Sequence, residues 1–360
     1  MSLAFDHVTL GQRVLFGSGK AAENVAAEAA RLGAARVMVI ASDRESGIAK
    51  AVTAGIEVAL VHDDVAMHVP VETAERARAA AKEAGVDLMV CVGGGSTTGL
   101  AKAVALTTGL PIVAVPTTYA GSEATNVWGL TAGARKTTGV DDRVLPVTVV
   151  YDAALTVTLP VDLSVASGLN GLAHCIDSLW APRADPINAA MAAEGIRALA
   201  SGLPAIGAEP SALAGREQAL YGAYLSAVAF ASAGSGMHHK ICHVLGGTFN
   251  LPHAQTHATV LPYVLAFNAP AAPEAAARIA AAFGAEDALE GLQALRKKLD
   301  APRALADYGF TEDGIAEAVA VALPAIPESN PRSVTEASLA AILRAALTGA
   351  DPKTLAYELD

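Results

Sequence analysis

The sequence predicts a two-part chain. An α/β N-terminal nucleotide-binding domain with a parallel sheet is followed by an all-helical C-terminal domain, with the boundary at 1–157 and 158–360. Three observations carry this. Short apolar runs alternate with amphipathic stretches in the first part of the chain, the pattern of a parallel sheet covered on both faces. A glycine-rich turn follows one of those runs and opens a helix. After Leu159-Pro160 the pattern becomes long, Ala/Leu-rich and helical.

The apolar runs lie at 37–40, 58–61, 88–92, 112–115 and 147–151, with amphipathic helices expected at 21–32 and 71–84. In the second part the helical pattern breaks near 202–204, Pro252, 270–273 and 324–331. A length of 360 residues suggests two domains at about 150 residues each. With 52% hydrophobic and 17% charged residues, disorder is excluded. A formal net charge of −11 argues against nucleic acid as a partner and leaves any anionic substrate to a local cationic pocket. The opening MSLAFDHVTLGQ lacks a signal pattern, and no stretch reaches the about 18 to 20 apolar residues of a membrane span. Three cysteines, Cys91, Cys175 and Cys242, cannot all pair and match no thiolate zinc spacing, so a reducing cytoplasm is expected.

Gly93, Gly94, Gly95, Ser96 and Thr97 follow a buried-strand pattern and open a helix. Such a turn brings backbone close to a ligand, and the helix start offers free N–H groups and a positive dipole end to phosphate. Thr117, Thr118 and Ser122 follow the next apolar run and belong to the same rim, where open α/β sheets bind ligands. Phe16-Gly17-Ser18-Gly19-Lys20 is a third candidate loop, with a hairpin turn as its alternative. In the second part, Asn170 and His174 are four apart on one helix face, as are His239 and His243. His238, His253 and His257 lie nearby, so five of the nine histidines fall between 238 and 257. Imidazoles at this spacing are a common metal arrangement, yet the position one turn before His174 is a neutral amide, which leaves a cation uncompensated.

GGGSTTGLAKA (93–103), TTYAGSEAT (117–125), LNGLAHCID (169–177) and HHKICHVLGGTFNLPHAQTHATVLP (238–262) resemble the iron-containing, group III alcohol dehydrogenases. These are relatives of dehydroquinate synthase and glycerol dehydrogenase, and the chain is most similar to their maleylacetate reductase subfamily. Metal-dependent members carry Asp where this chain has Gly99, a longer threonine loop, and an iron or zinc site of one Asp and three His. The His positions match His174, His239 and His253, but the Asp position is Asn170. The resemblance therefore implies a metal-free site, with iron or zinc at His174, His239 and His253 as the minority alternative. It implies reduction of the C=C bond of maleylacetate to 3-oxoadipate with NADH or NADPH, in aromatic-compound degradation.

By the same resemblance, His243 lies near the nicotinamide and is the expected proton donor. His174, His239, His253 and Asn170 shape the pocket. Lys240, His238 and a protonated His257 are candidates to hold the substrate's two carboxylates. The family's nucleotide-contacting Lys falls on Lys136. Its ribose-reading Asp falls on Ser42, with Asp43 beside it, so either cofactor form is expected to be accepted. A small-molecule dicarboxylate substrate, no nucleic acid, no membrane and a homodimer complete the expectation. The alternatives are a metal-dependent alcohol or polyol dehydrogenase of the same fold, and a metal-dependent lyase or cyclase that turns over without net change of NADH.

Overall fold

The structure, a computed structural model, describes residues 4–133 and 135–358, without the side chains of 135–136 and 356–358. The chain divides into two compact units. One holds Leu10–Leu159 together with Ser211–Leu220, and the other holds Pro160–Pro210, Tyr221–Asp360 and the residues up to Thr9. The sequence reading divided the chain at 157/158 and did not anticipate these two exchanges. Arg216 accounts for one of them. Its buried guanidinium donates to the Tyr119 hydroxyl at 3.2 Å and to the carbonyls of Thr156 and Leu159, which fixes its helix to the α/β unit.

The α/β unit contains β1 (Arg13–Phe16), α1 (Ala21–Arg31), β2 (Val37–Ile40), α2 (Ser46–Val52), β3 (Val58–His62), α3 (Val71–Glu83), β4 (Leu88–Gly93), α4 (Gly95–Thr108), β5 (Ile112–Pro116), β6 (Val127–Ala132), β7 (Arg135–Val140) and β8 (Thr148–Tyr151). Six strands form one parallel sheet in the order β1-β8-β5-β4-β2-β3. Its central strands are apolar at every position because both faces are covered. Met38, Ile40, Met89, Cys91 and Ala114 face Ala74, Ala77, Leu100 and Val104 of α3 and α4. The alternate residues Val37, Val39, Val90, Val92, Val113 and Val115 face Val25, Ala29, Ala49 and Val52 of α1 and α2.

Three strands of this unit were not expected. β1 is a strand with exposed ends, and its apolar run is only the three residues Val14, Leu15 and Phe16. β6 and β7 form an antiparallel hairpin whose described residues are half-buried or exposed. The strand order reverses between β2 and β4, so the loops leaving their carboxyl ends flank a topological switch point, where this class of sheet binds ligands.

The helical unit contains α5 (Val161–Ser178), α6 (Pro186–Ala208), α7 (Leu213–Ala233, whose first turns group with the α/β unit), α8 (Met237–Phe249), α9 (His253–Asn268), α10 (Pro273–Phe283), α11 (Ala288–Lys298), α12 (Ile315–Ala322), α13 (Glu336–Thr348) and α14 (Pro352–Glu358). Its core gathers Ile241, Leu245, Val260, Val264 and Phe267 of α8 and α9 against Leu339, Ile342 and Leu343 of α13. None of the described helices is long and apolar enough to cross a membrane.

Candidate active site

At the switch point, β4 runs into α4 through Gly93 and Gly94. A Cβ on Gly93, at φ +155°, would lie 2.4 Å from Thr97 Oγ1, and one on Gly94 would lie 3.0 Å from Thr118 Cγ2. Glycine at 93 thus lets Thr97 of α4 fold back over the turn, and glycine at 94 lets the threonine loop approach this closely. The Thr117 N–H donates to the Gly93 carbonyl at 3.1 Å, which fixes one loop to the other. The first N–H groups of α4, from Gly95, Ser96 and Thr97, have no acceptor within their own helix and are suited to an anion. Ser122 begins a short turn after Gly121, at φ +78°. Ser42 lies beyond the carboxyl end of β2, where its hydroxyl donates to the Glu45 carboxylate. Lys136 falls on β7, and its side chain is outside the described residues.

The third candidate loop does not have this character. The N–H groups of Gly19 and Ala21 donate to the two carboxylate oxygens of Asp152 at 2.8 and 3.0 Å, and the Ser18 hydroxyl donates to Glu217 at 2.6 Å. The start of α1 is thus already capped by a carboxylate. Nor is the loop a hairpin turn, since β1 pairs in parallel with β8.

Lys102 of α4 drew no attention in the sequence. It is fully buried, and its ammonium donates to the carbonyls of Thr125 and Val127 and to the Thr125 hydroxyl at 2.8–2.9 Å. It holds the helix of the glycine loop to the segment after Ser122. Burial pulls its pKa down to about 7. Gly99, where metal-dependent relatives carry Asp, lies one turn earlier. A Cβ there would be 2.9 Å from Val69 Cγ2, and Val69 itself has φ +49°, so the carboxylate has no room.

In the helical unit, α5, α8 and α9 bring the histidines together. The His174 ring stacks on His239 with centroids 4.8 Å apart, and Phe230 of α7 packs against both. His243 is half-buried and meets His239 edge-on at 6.1 Å. His253 opens α9, exposed, with its ring 4.4 Å from that of His257. Asn170 is buried one turn before His174, and its Oδ1 has no hydrogen-bond partner. Lys240 is half-buried on α8.

Asp177 is the site residue that sequence reasoning missed. It is fully buried one turn beyond His174, and its Oδ2 accepts from His239 Nδ1 at 2.8 Å and from the Gly236 N–H at 2.9 Å. It therefore caps the start of α8 and leaves His239 Nε2 as the bare nitrogen, which is buried and unpartnered. The available signal was its place three residues after His174, on a helix with little other charge. Burial raises its pKa to about 6, so it remains a carboxylate at neutral pH.

Desolvation holds the buried imidazoles neutral. The pKa falls to about 4 for His174, to about 3 for His238, and well below 6.5 for His239 and His257. This corrects one expectation: His238 and His257, at 1% and 0% exposure, cannot serve as cations for substrate carboxylates. His238 Nε2 and His257 Nδ1 instead share a hydrogen bond of 3.0 Å.

Comparison with known proteins places this arrangement. Residues 11–153 match the description "iron-containing alcohol dehydrogenase", and residues 164–347 match "Fe-containing alcohol dehydrogenase family, C-terminal". The chain belongs to the iron-containing alcohol dehydrogenase family. It is an oxidoreductase of that family. It is 46% identical to the maleylacetate reductase of Sphingobium indicum, over 98% of this chain and 100% of the relative. The maleylacetate reductase structure from Rhizobium sp. strain MTP-10005 superposes with a TM-score of 0.91 at 42% identity, covering 97% of this chain and 99% of the other. An iron-containing alcohol dehydrogenase structure from Corynebacterium glutamicum gives 0.97 at 68% identity, covering 99% and 100%.

The family name implies iron, and the residues at the family's position do not fit it as they stand. Asn170, His174, His239 and His253, the positions that the resemblance assigns to the metal, are all neutral donors, and the donor atoms of the three histidines are not grouped within 4.8 Å of one another among the described residues. A divalent cation there would have no anionic ligand; the carboxylate of Asp177 stands behind His239, on its Nδ1 at 2.8 Å. Among the described residues, the group of three potential ligands whose donor atoms lie within 4.8 Å of one another is His238, Cys242 and His257, a different set.

Proposed function

We propose that this oxidoreductase is a maleylacetate reductase, reducing the C=C bond of maleylacetate to 3-oxoadipate with NADH or NADPH and without a metal. The observation that carries the reading is the neutral donor set, an amide at Asn170 beside the stacked imidazoles of His174 and His239. It is supported by relatives of 41–46% identity over nearly the whole chain that carry the name maleylacetate reductase.

Bound at the glycine turn, NADH or NADPH would supply a hydride, which the alkene carbon β to the ketone would accept. The electron pair of the C=C bond moves to the ketone oxygen as an enolate, and a proton then adds at the α carbon. Neutral imidazole N–H groups and the Asn170 amide can donate to that oxygen where its charge develops. His239 has a fixed role in this set. Asp177 holds its Nδ1 hydrogen, so Nε2 presents a lone pair and not a donor, and enolate donation falls to the other rings and to Asn170. His243, less buried than its neighbours, supplies the proton, a task suited to an imidazole near neutral pH. Lys240 is the remaining expected cation for the substrate's carboxylates. The nucleotide's phosphates take the Gly93–Gly95 turn, Ser96 and Thr97, with Thr117, Thr118, Ser122 and Lys136 beside them and Ser42 toward the ribose. We also place the protein in the cytoplasm as a homodimer; three buried free cysteines accord with a reducing compartment.

A metal-dependent alcohol dehydrogenase is the second reading, favoured by the name of the 68% identical structure. One assay separates the two. NADH and NADPH oxidation is followed with maleylacetate after exhaustive chelation. Retained turnover is expected. Loss restored by Fe²⁺ or Zn²⁺, or turnover of simple alcohols with NAD⁺ in place of maleylacetate reduction, overturns the reading.

A further inference from the structure

The pair His238–His257 and the thiol of Cys242 take no part in the chemistry above, yet they converge. His238 and Cys242 are four apart on α8 and present Nε2 and Sγ 3.6 Å from each other. His257 Nδ1, from α9, lies 3.0 Å from His238 Nε2, and all three donor atoms fall within 4.8 Å of one another. All three side chains are at most 1% exposed. The outer nitrogens, His238 Nδ1 and His257 Nε2, are buried and unpartnered.

We propose that His238, Cys242 and His257 form a binding site for a borderline-soft divalent cation such as Zn²⁺, distinct from the set Asn170, His174, His239 and His253. The chemistry and the spacing agree. Two imidazoles and one thiolate are the donor types that select zinc over calcium or magnesium. Around a tetrahedral ion with the usual zinc bond lengths, N and S ligands stand about 3.6 Å apart and two N ligands about 3.3 Å. The His238–Cys242 separation already has the first value, and the His238–His257 pair needs to open by only about 0.3 Å to reach the second. Binding breaks the hydrogen bond between the imidazoles. The ring that donated it moves its proton to its outer nitrogen, His238 Nδ1 or His257 Nε2, so that both inner lone pairs face the cation, and the thiol proton leaves to solvent. The thiolate supplies the negative charge that Asn170 cannot. The site does not rest on the reductase reading, because neither the donors nor their geometry depends on the substrate.

The test uses the full-length reduced protein, stripped with chelator and titrated with Co²⁺. One equivalent is expected to bind with tetrahedral visible bands and a thiolate-to-cobalt charge-transfer band in the near ultraviolet. Cys242→Ala is expected to abolish that band and weaken binding by more than about tenfold, whereas Cys91→Ala, which removes a buried thiol of the α/β unit, leaves both unchanged. A second measurement needs no variant. Zn²⁺ is expected to slow iodoacetamide alkylation of Cys242, read by peptide mass mapping, by more than about tenfold. Absence of a stoichiometric Co²⁺ complex, a charge-transfer band that persists in Cys242→Ala, a complex lost in Cys91→Ala, or unchanged alkylation with Zn²⁺ would each overturn the proposal.

Discussion

At Asn170, an amide stands where the resemblance places a carboxylate, so no anionic ligand lies beside His174, and the carboxylate of Asp177 lies behind His239, on its Nδ1. The amide's place was legible in the sequence, because the four-residue spacing of Asn170 and His174 fixes their common helix face. Asp177 was not legible as a site residue. Its role comes from α8, which brings His239 and the Gly236 N–H to the same carboxylate oxygen. The neutrality of His238 and His257 was also hidden, since burial and not residue type sets it. Under the reductase reading, His243→Ala should lower kcat by about two to four orders of magnitude, the range for losing a general acid. A change below about threefold in steady-state NADH oxidation would remove His243 from that role.

Among the elements, the glycine turn between β4 and α4 and the threonine loop after β5 were both foreseen, because a buried run followed by a glycine turn has few structural solutions. Their mutual contact was not. It follows from β4 and β5 being neighbours in the sheet and from the absence of a Cβ on Gly94, beside Thr118. The hairpin of β6 and β7 escaped because its residues are half-buried or exposed and carry no clear period. At the end of β2, the Ser42 hydroxyl is tied to Glu45, so a carboxylate stands beside the residue proposed to face the ribose. Glu45→Gln should therefore lower the ratio of KM for NADPH to KM for NADH by about threefold to tenfold, the effect of removing one partly screened like charge from a phosphate. An unchanged ratio would show that Glu45 does not bear on the choice of cofactor.

For the whole molecule, the buried histidines make stability depend on pH. His174, His238, His239 and His257 are neutral when folded and protonate near their ordinary pKa of 6.5 when unfolded. Their folded pKa values are depressed, so the unfolded state binds more protons and stability is lost as pH falls below about 6.5. Asp177 acts in the opposite sense: its carboxyl holds a proton below about 6 when folded and gives it up down to 3.8 when unfolded. About three protons net are taken up on unfolding near pH 5, a slope of up to about 4 kcal/mol per pH unit. Urea unfolding followed by circular dichroism should show a much lower midpoint at pH 5 than at pH 7. The overall charge of −11 predicts the reverse, since acid brings the chain toward neutrality and relieves self-repulsion. A midpoint that holds or rises at pH 5 would mean that these imidazoles are charged in the fold.

By itself, the sequence determined the class of each half, the parallel sheet, the glycine turn and the gathering of histidines on a few helices, because hydrophobic period and helix spacing are local properties of the chain. Tertiary structure decided which imidazoles lose their charge, that Asp177 orients His239, that Lys102 joins two loops, and that Cys242 meets two histidines from different helices. Those outcomes depend on desolvation and on contacts between distant segments, which exist only once α5, α8 and α9, or β4, α4 and the loop after β5, have packed.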